Sequence, residues 1–161
     1  PALERGTIDA AEWVGPYDDE KLGFAKVAPF YYYPGFWEGG PTVHFYIAKP
    51  KWDELPKHYR AVIEDAAARA GQDVLAKYDA RNPAALRRLV SAGAQLRPFP
   101  QDVMEASLKA ANELYDEISG KNPEFKKMFT SLRDFRNEEY LWFQVAEYTF
   151  DNFMIRARAR G

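Results

Sequence analysis

Ile8-Asp-Ala-Ala-Glu-Trp-Val-Gly-Pro-Tyr-Asp-Asp-Glu-Lys-Leu-Gly23 is the stretch on which the fold reading turns. Its first half, Thr7 to Val14, is short and apolar and stops at Gly15-Pro16, a strong loop signal. Asp18 to Leu22 then has the composition of a single helical turn. A strand that gives way to a loop and a helix is the grammar of an α/β chain. Upstream, Pro1-Ala-Leu-Glu-Arg-Gly6 reads as the last turn of a helix closed by a glycine cap. We therefore expect the natural protein to continue before Pro1.

Downstream the strand signals persist for about fifty residues. Phe30-Tyr-Tyr-Tyr33 is dense in strand formers. Pro34-Gly35 and Gly39-Gly40-Pro41 punctuate loops. Thr42 to Ala48 alternates, with Val43, Phe45 and Ile47 on one face and His44 and Tyr46 on the other, which predicts a strand.

From Pro56 the period changes. Tyr59, Val62, Ile63, Ala66, Ala67, Ala70, Val74 and Tyr78 recur at three and four residues, the stripe of an amphipathic helix. Asn82-Pro83 has the form of a cap and first-turn proline, so a separate, shorter helix is expected there, closed by Gly93. Leu96 to Phe99 reads as a brief strand. Asp102 to Ser119 reads as a helix ended by Gly120, with Val103, Leu108, Ala111, Leu114, Tyr115 and Ile118 facing inward. Asn122-Pro123 opens a last helical region reaching about Arg158, with a break in it. Between Tyr140 and Ile155 that region is apolar nearly all round. Such a helix is either a central core helix or a surface for another lobe or subunit. The fold class is thus α/β, with short strands in the first third followed by several long helices.

Composition narrows the function. Over 161 residues, 47% are hydrophobic and 29% charged, the balance of a globular chain, and the net charge is −2. The only basic cluster, Arg156, Arg158 and Arg160, suits a helix terminus rather than a nucleic-acid face. Cysteine is absent, which removes thiol chemistry, thiolate metal sites and disulfides. No apolar run reaches the ~20 residues needed to span a bilayer. Phosphate-binding glycine loops, HExxH, GxSxG and EF-hand patterns are missing. His44 and His58 are far apart, and each reads as structural.

Two acid-tryptophan pairs remain, Glu12-Trp13 and Trp37-Glu38, both at expected strand-to-loop junctions. The second lies in a loop whose glycines let backbone approach a ligand closely. With Tyr17 and Tyr31 to Tyr33 nearby in sequence, they suggest an aromatic-walled pocket holding carboxylates. A solvated loop acid and a core aromatic cluster are the plainer reading of the same residues. An acid/base pair of glycosidase type is a further, less favoured reading.

Ile8 to Gly23, with Ala2-Leu-Glu-Arg-Gly-Thr-Ile-Asp9 before it and Tyr32-Tyr-Pro-Gly-Phe-Trp-Glu-Gly-Gly40 after it, resembles the DctP-type solute receptors of tripartite ATP-independent periplasmic (TRAP) transporters. The likeness is greatest to the subgroup that binds 2-oxo acids. It extends over all 161 residues, with its specific motifs in the first forty or so. The resemblance implies a two-lobe, periplasmic-binding-protein-like fold, of which residues 1–161 form one fragment: the C-terminal lobe and helices. The first lobe, and the arginine that holds a monocarboxylate there, would precede the stretch matching Pro1.

The resemblance also implies a function. The receptor would bind a small organic acid in the periplasm and deliver it to the membrane subunits of a TRAP transporter, without being an enzyme. In the 2-oxo acid subgroup a cation, sodium (Na+) where identified, bridges ligand and protein. Its protein ligands would fall on Glu12, the backbone carbonyl of Trp13, and Glu38. Ligand contacts would fall on Glu12, Trp13, Tyr17 and Trp37. A same-family receptor that binds another carboxylate without a cation is the alternative. So is a fragment that only forms a homodimer through its C-terminal helices.

Overall fold

The computed structural model describes residues 1–36 and 38–159. They fall into two compact units, residues 1–104 and 105–161, described in turn.

The first unit opens on a helix end. Gly6 has φ 68°, and the bonds Thr7 N–H to Ala2 O (2.9 Å) and Gly6 N–H to Leu3 O (3.1 Å) are those of a Schellman cap. Residues 7–14 follow as irregular chain, so the strand expected before Glu12 is not formed. Helix α1 spans Pro16–Leu22 and closes on Gly23, at φ 74°. Strand β1, Phe30–Tyr33, is where its aromatics put it. A short helix missed in the sequence, α2 (Lys49–Glu54), precedes α3 (Lys57–Ser91). Strand β2 is Gln95–Pro98. It pairs with β1 in parallel, Phe30 opposite Gln95 and Tyr33 opposite Pro98. Parallel neighbours need a long crossover, which α3 supplies.

Two expectations fail here. Thr42 to Ala48 is not a strand: its residues carry no ladder, and Val43, Phe45 and Tyr46 are fully exposed. Alternation specifies a strand only when a partner edge satisfies its backbone, and β1 pairs with β2 instead. Nor does a new helix start at Asn82-Pro83. α3 runs through both for 35 residues, with Pro83 inside it. Good helix formers flank the proline, and Ala85 and Leu89 just beyond it are buried, so packing holds the helix continuous across the lost N–H.

The buried centre of this unit is small: among the described residues only Ala85, Leu89, Ala94 and Asp19 are buried. α1 lies against the C-terminal third of α3. The earlier stripe of α3 is largely exposed, Tyr59 and Val62 included.

The second unit holds most of α4 (Gln101–Lys121), then α5 (Pro123–Phe143), a π-helical segment Gln144–Tyr148, and α6 (Thr149–Arg158). α4 ends one residue beyond Gly120. Of its expected inward residues, Ala111, Tyr115 and Ile118 are half-buried, whereas Val103, Leu108 and Leu114 are exposed. Asn122 caps α5 as its sequence predicts, accepting from Phe125 N–H at 3.0 Å. Tyr115 packs on Phe129, with centroids 4.5 Å apart. The break in the last helix is the π segment, where the Thr149 hydroxyl donates to the carbonyls of Val145 and Gln144. Tyr140, Trp142, Val145, Phe150 and Phe153 are each more than 60% exposed, so this is no buried core helix. Among the described residues, no helix is long and apolar enough to cross a membrane.

Candidate functional site

Glu12 and Trp13 lie on the irregular segment just before α1, and Glu38 lies on the loop after β1. All three are exposed, Trp13 by 56%. Trp37 lies outside the described residues. A part-buried hydrogen bond joins α1, which follows the Glu12 segment, to β1, which precedes the Glu38 loop. Tyr31 Oη donates to Asp19 Oδ2 at 2.5 Å. Asp19 is only 7% exposed, and its Oδ1 is buried without a hydrogen-bond partner.

Burial pushes the Asp19 carboxyl above the usual carboxylate range, against the pull of the Tyr31 hydrogen bond, and the charges of Asp18 and Glu12 push it the same way. Glu12 is therefore close enough to Asp19 for its charge to be felt there. Burial and the bond to Asp19 push the Tyr31 hydroxyl well above the phenol range.

α1 is fastened to α3 by four side-chain contacts. Asn82 Oδ1 accepts from Tyr17 N–H at 3.0 Å. Tyr78 Oη donates to Asp18 at 2.5 Å, and Arg81 Nη1 donates to Tyr17 Oη at 2.6 Å. Arg88 grips Glu20 with two bonds of 2.6 and 2.7 Å, the geometry that suits a guanidinium on a carboxylate. Tyr17, expected in the pocket, thus has its hydroxyl held by Arg81 and its ring under the Lys21 ammonium, 3.8 Å from the centroid. Lys21, and then Arg81, holds Tyr17 below the usual phenol range against the effect of burial.

On the other side, Phe99 follows β2 and packs against both Tyr32 (5.0 Å) and Phe36 (5.4 Å between centroids). The root of the Glu38 loop is thereby pinned to the end of the sheet. His44 and His58 are in ring contact with Tyr46 and Tyr59. Among the described residues, no three histidine, cysteine, aspartate or glutamate side chains converge as a metal cage.

The donors Glu12, Glu38 and the Trp13 carbonyl are all oxygens, as a hard cation prefers. These residues fit such an ion as part of its shell, with the remaining donors supplied by a ligand or by other protein groups.

Four similarities bear on the family of this chain. Residues 1–122 match the family described as "Bacterial extracellular solute-binding protein, family 7" (DctP). The chain is 44% identical over 152 residues to a monocarboxylate 2-oxoacid-binding periplasmic protein of Nostoc sp., covering 94% of this chain and 42% of that protein. It superposes with TM-score 0.90 and 48% identity on a TRAP transporter solute-binding protein from Bordetella bronchiseptica, over 99% of this chain and 48% of that one. That protein is a mixed-occupancy dimer with copurified calcium and picolinate in one site and an apo second site. A TRAP periplasmic solute-binding protein from Pseudoalteromonas atlantica with bound sodium and pyruvate aligns with TM-score 0.81 and 33% identity, over 94% of this chain and 46% of that one. The chain spans less than half the length of these relatives. With its parallel β1–α3–β2 unit and its family match, the chain belongs to the DctP-type bacterial extracellular solute-binding proteins, family 7.

Proposed function

We propose that this chain forms the cation-binding side of a periplasmic receptor that captures a small 2-oxo monocarboxylate for a TRAP transporter. Glu12, the Trp13 carbonyl and Glu38 hold the cation, sodium or calcium. The cation in turn binds the carboxylate and neighbouring donor atom of the solute. Trp13 and Trp37 pack on the solute's apolar part. Tyr17, whose hydroxyl is held by Arg81, supports the pocket from behind.

One observation carries this reading. The solutes in the two structural relatives, pyruvate in the protein that binds sodium and picolinate in the one that binds calcium, share one chemical feature. Each has a donor atom, keto oxygen or ring nitrogen, next to its carboxylate. Each can therefore chelate one hard cation in a five-membered ring. An oxygen-donor set that includes two carboxylates suits the protein half of such a site.

The test is calorimetric titration of the natural protein in sodium, calcium and choline chloride. Pyruvate and picolinate should bind in sodium or calcium and not in choline. Nicotinate, the isomer of picolinate that cannot chelate, should bind in none. Equal heat from nicotinate and picolinate, or equal heat in choline, would sink the cation bridge and favour a receptor that binds its carboxylate directly.

The same receptor self-associates through the exposed apolar faces of α5, the π segment and α6. Exposed Tyr140, Trp142, Phe150 and Phe153 support this, as does the dimeric Bordetella relative. Light scattering that returns a monomer at all concentrations would remove it.

A further inference from the structure

A buried carboxylate with one oxygen unsatisfied costs stability. Asp19 is the one charged residue buried among the described residues, and its Oδ1 has no hydrogen-bond partner. Its other oxygen is spent on Tyr31. As a contribution to folding this is poor design, because an apolar pair of similar shape would serve better. What the pair does achieve is geometric. Glu12 lies seven residues before Asp19 along the chain, and Glu38 lies seven residues after Tyr31. α1, which Asp19 occupies, is otherwise fastened to α3, and β1, which Tyr31 occupies, to β2. Among the side-chain hydrogen bonds described, the Asp19–Tyr31 bond is the one that joins these two systems.

We propose that Asp19 and Tyr31 are positioning residues, whose hydrogen bond sets the spacing between the Glu12–Trp13 segment and the Glu38 loop. The cation then meets a preformed pair of carboxylates and need not gather two free segments. The role as a positioning device for cation affinity rests on the function proposed above. The coupling of the two segments does not.

Two measurements on the natural protein separate these. In the first, hydrogen exchange is followed without solute in wild type, Tyr31→Phe and Asp19→Asn. Tyr31→Phe removes the donor alone, and Asp19→Asn keeps an acceptor. Loss of a hydrogen bond to a charged group corresponds to about a tenfold or greater change in an opening equilibrium. The amides of Asp18 and Asp19, which donate to Gly15, and of Gln95 and Phe99, which donate to Pro29 and Tyr33, should exchange faster by that factor in Tyr31→Phe, with the amides of α5 unchanged and Asp19→Asn close to wild type. In the second, the sodium concentration that half-saturates pyruvate binding should rise about tenfold in Tyr31→Phe and little in Asp19→Asn.

Wild-type exchange in Tyr31→Phe overturns the proposal. So does acceleration spread evenly over the chain, the mark of a merely structural bond. Wild-type sodium dependence in Tyr31→Phe overturns the link to cation affinity. If wild type itself gives no heat with pyruvate in any salt, the proposed function falls, and the exchange data still decide the coupling. Should Tyr31→Phe fold poorly, the double variant Asp19→Val/Tyr31→Phe removes the bond without stranding a buried charge, and it should show the same local acceleration.

Discussion

The side-chain carbonyl of Asn82 accepts a hydrogen bond from the backbone N–H of Tyr17 at 3.0 Å, so a residue in the C-terminal third of α3 caps the first turn of α1. α1 has no cap of its own, because Gly15 stands at the N-cap position. Losing a capping acceptor costs about 1 kcal/mol. Asn82→Ala should lower stability by that order, and Asn82→Asp, which keeps the acceptor and adds a charge favourable at a helix N-terminus, should lower it less. Urea unfolding of the three proteins checks this, and equal midpoints would remove the cap.

The Arg88–Glu20 pair makes a different prediction, because it is partly exposed and so open to screening. The hydrogen bond and charge of Arg88 hold the Glu20 carboxyl below the usual carboxylate range. A depressed carboxylate stabilises the fold above its unfolded value near 4.5, and that contribution is lost as pH falls. Arg88→Gln should therefore lower the thermal midpoint at neutral pH and low salt. The difference from wild type should shrink in molar salt and on acidification through that range. A difference independent of both would mean that Arg88 acts by packing alone.

Elements whose signals are local were legible from the residues. Phe30–Tyr33 forms the strand its residues suggest, the strand expected at Leu96 to Phe99 forms one residue earlier at Gln95–Pro98, and the Asn122 cap starts α5 in place. Asn82-Pro83 misled because the same two residues that open one helix can sit inside another. Only the distant Tyr17 N–H reveals which helix Asn82 caps. Thr42–Ala48 misled because alternation describes a strand's faces and says nothing about a partner edge. At the site, Glu12 and Glu38 stood out by adjacency to tryptophan. Asp19 did not, and the partners of Tyr31 and Asn82 were not legible, since their contacts join residues 12 and 65 positions apart. Asp19 stands between Asp18 and Glu20 in the sequence, so nothing local marks it, and its burial is a property of the fold alone.

Asp19 yields a pH prediction of opposite sign to that of Glu20. Burial, with Asp18 and Glu12 adding to it, raises its carboxyl above the unfolded value near 3.8. Between that value and the folded one the native state binds more protons than the unfolded state. Stability from this group is present below the window and is lost as pH rises through it. Asp19→Asn cannot titrate, and its amide oxygen can still accept from Tyr31. Relative to wild type, the variant should gain stability as pH rises from about 4 toward neutrality. Thermal midpoints measured across that range check the sign. A variant that loses ground with rising pH would show that Asp19 is stabilised, not strained, in its charged form.

The proposed site separates side-chain from backbone donors, and that separation can be read by mutation. Glu12→Gln and Glu38→Gln each remove a full negative charge from the cation shell while keeping an oxygen. Either should weaken sodium-dependent pyruvate binding by about tenfold to a hundredfold or more, since even indirect partners of a metal ligand matter on that scale. In the proposed site Trp13 would contribute its backbone carbonyl to the cation and its ring to the solute. Trp13→Phe should therefore weaken pyruvate binding while leaving the sodium concentration for half-saturation nearly unchanged. Titrations of pyruvate at several sodium concentrations measure both quantities in one experiment. If Trp13→Phe shifts the sodium dependence as strongly as Glu12→Gln does, the ring rather than the carbonyl shapes the cation's place, and the donor assignment must be redrawn.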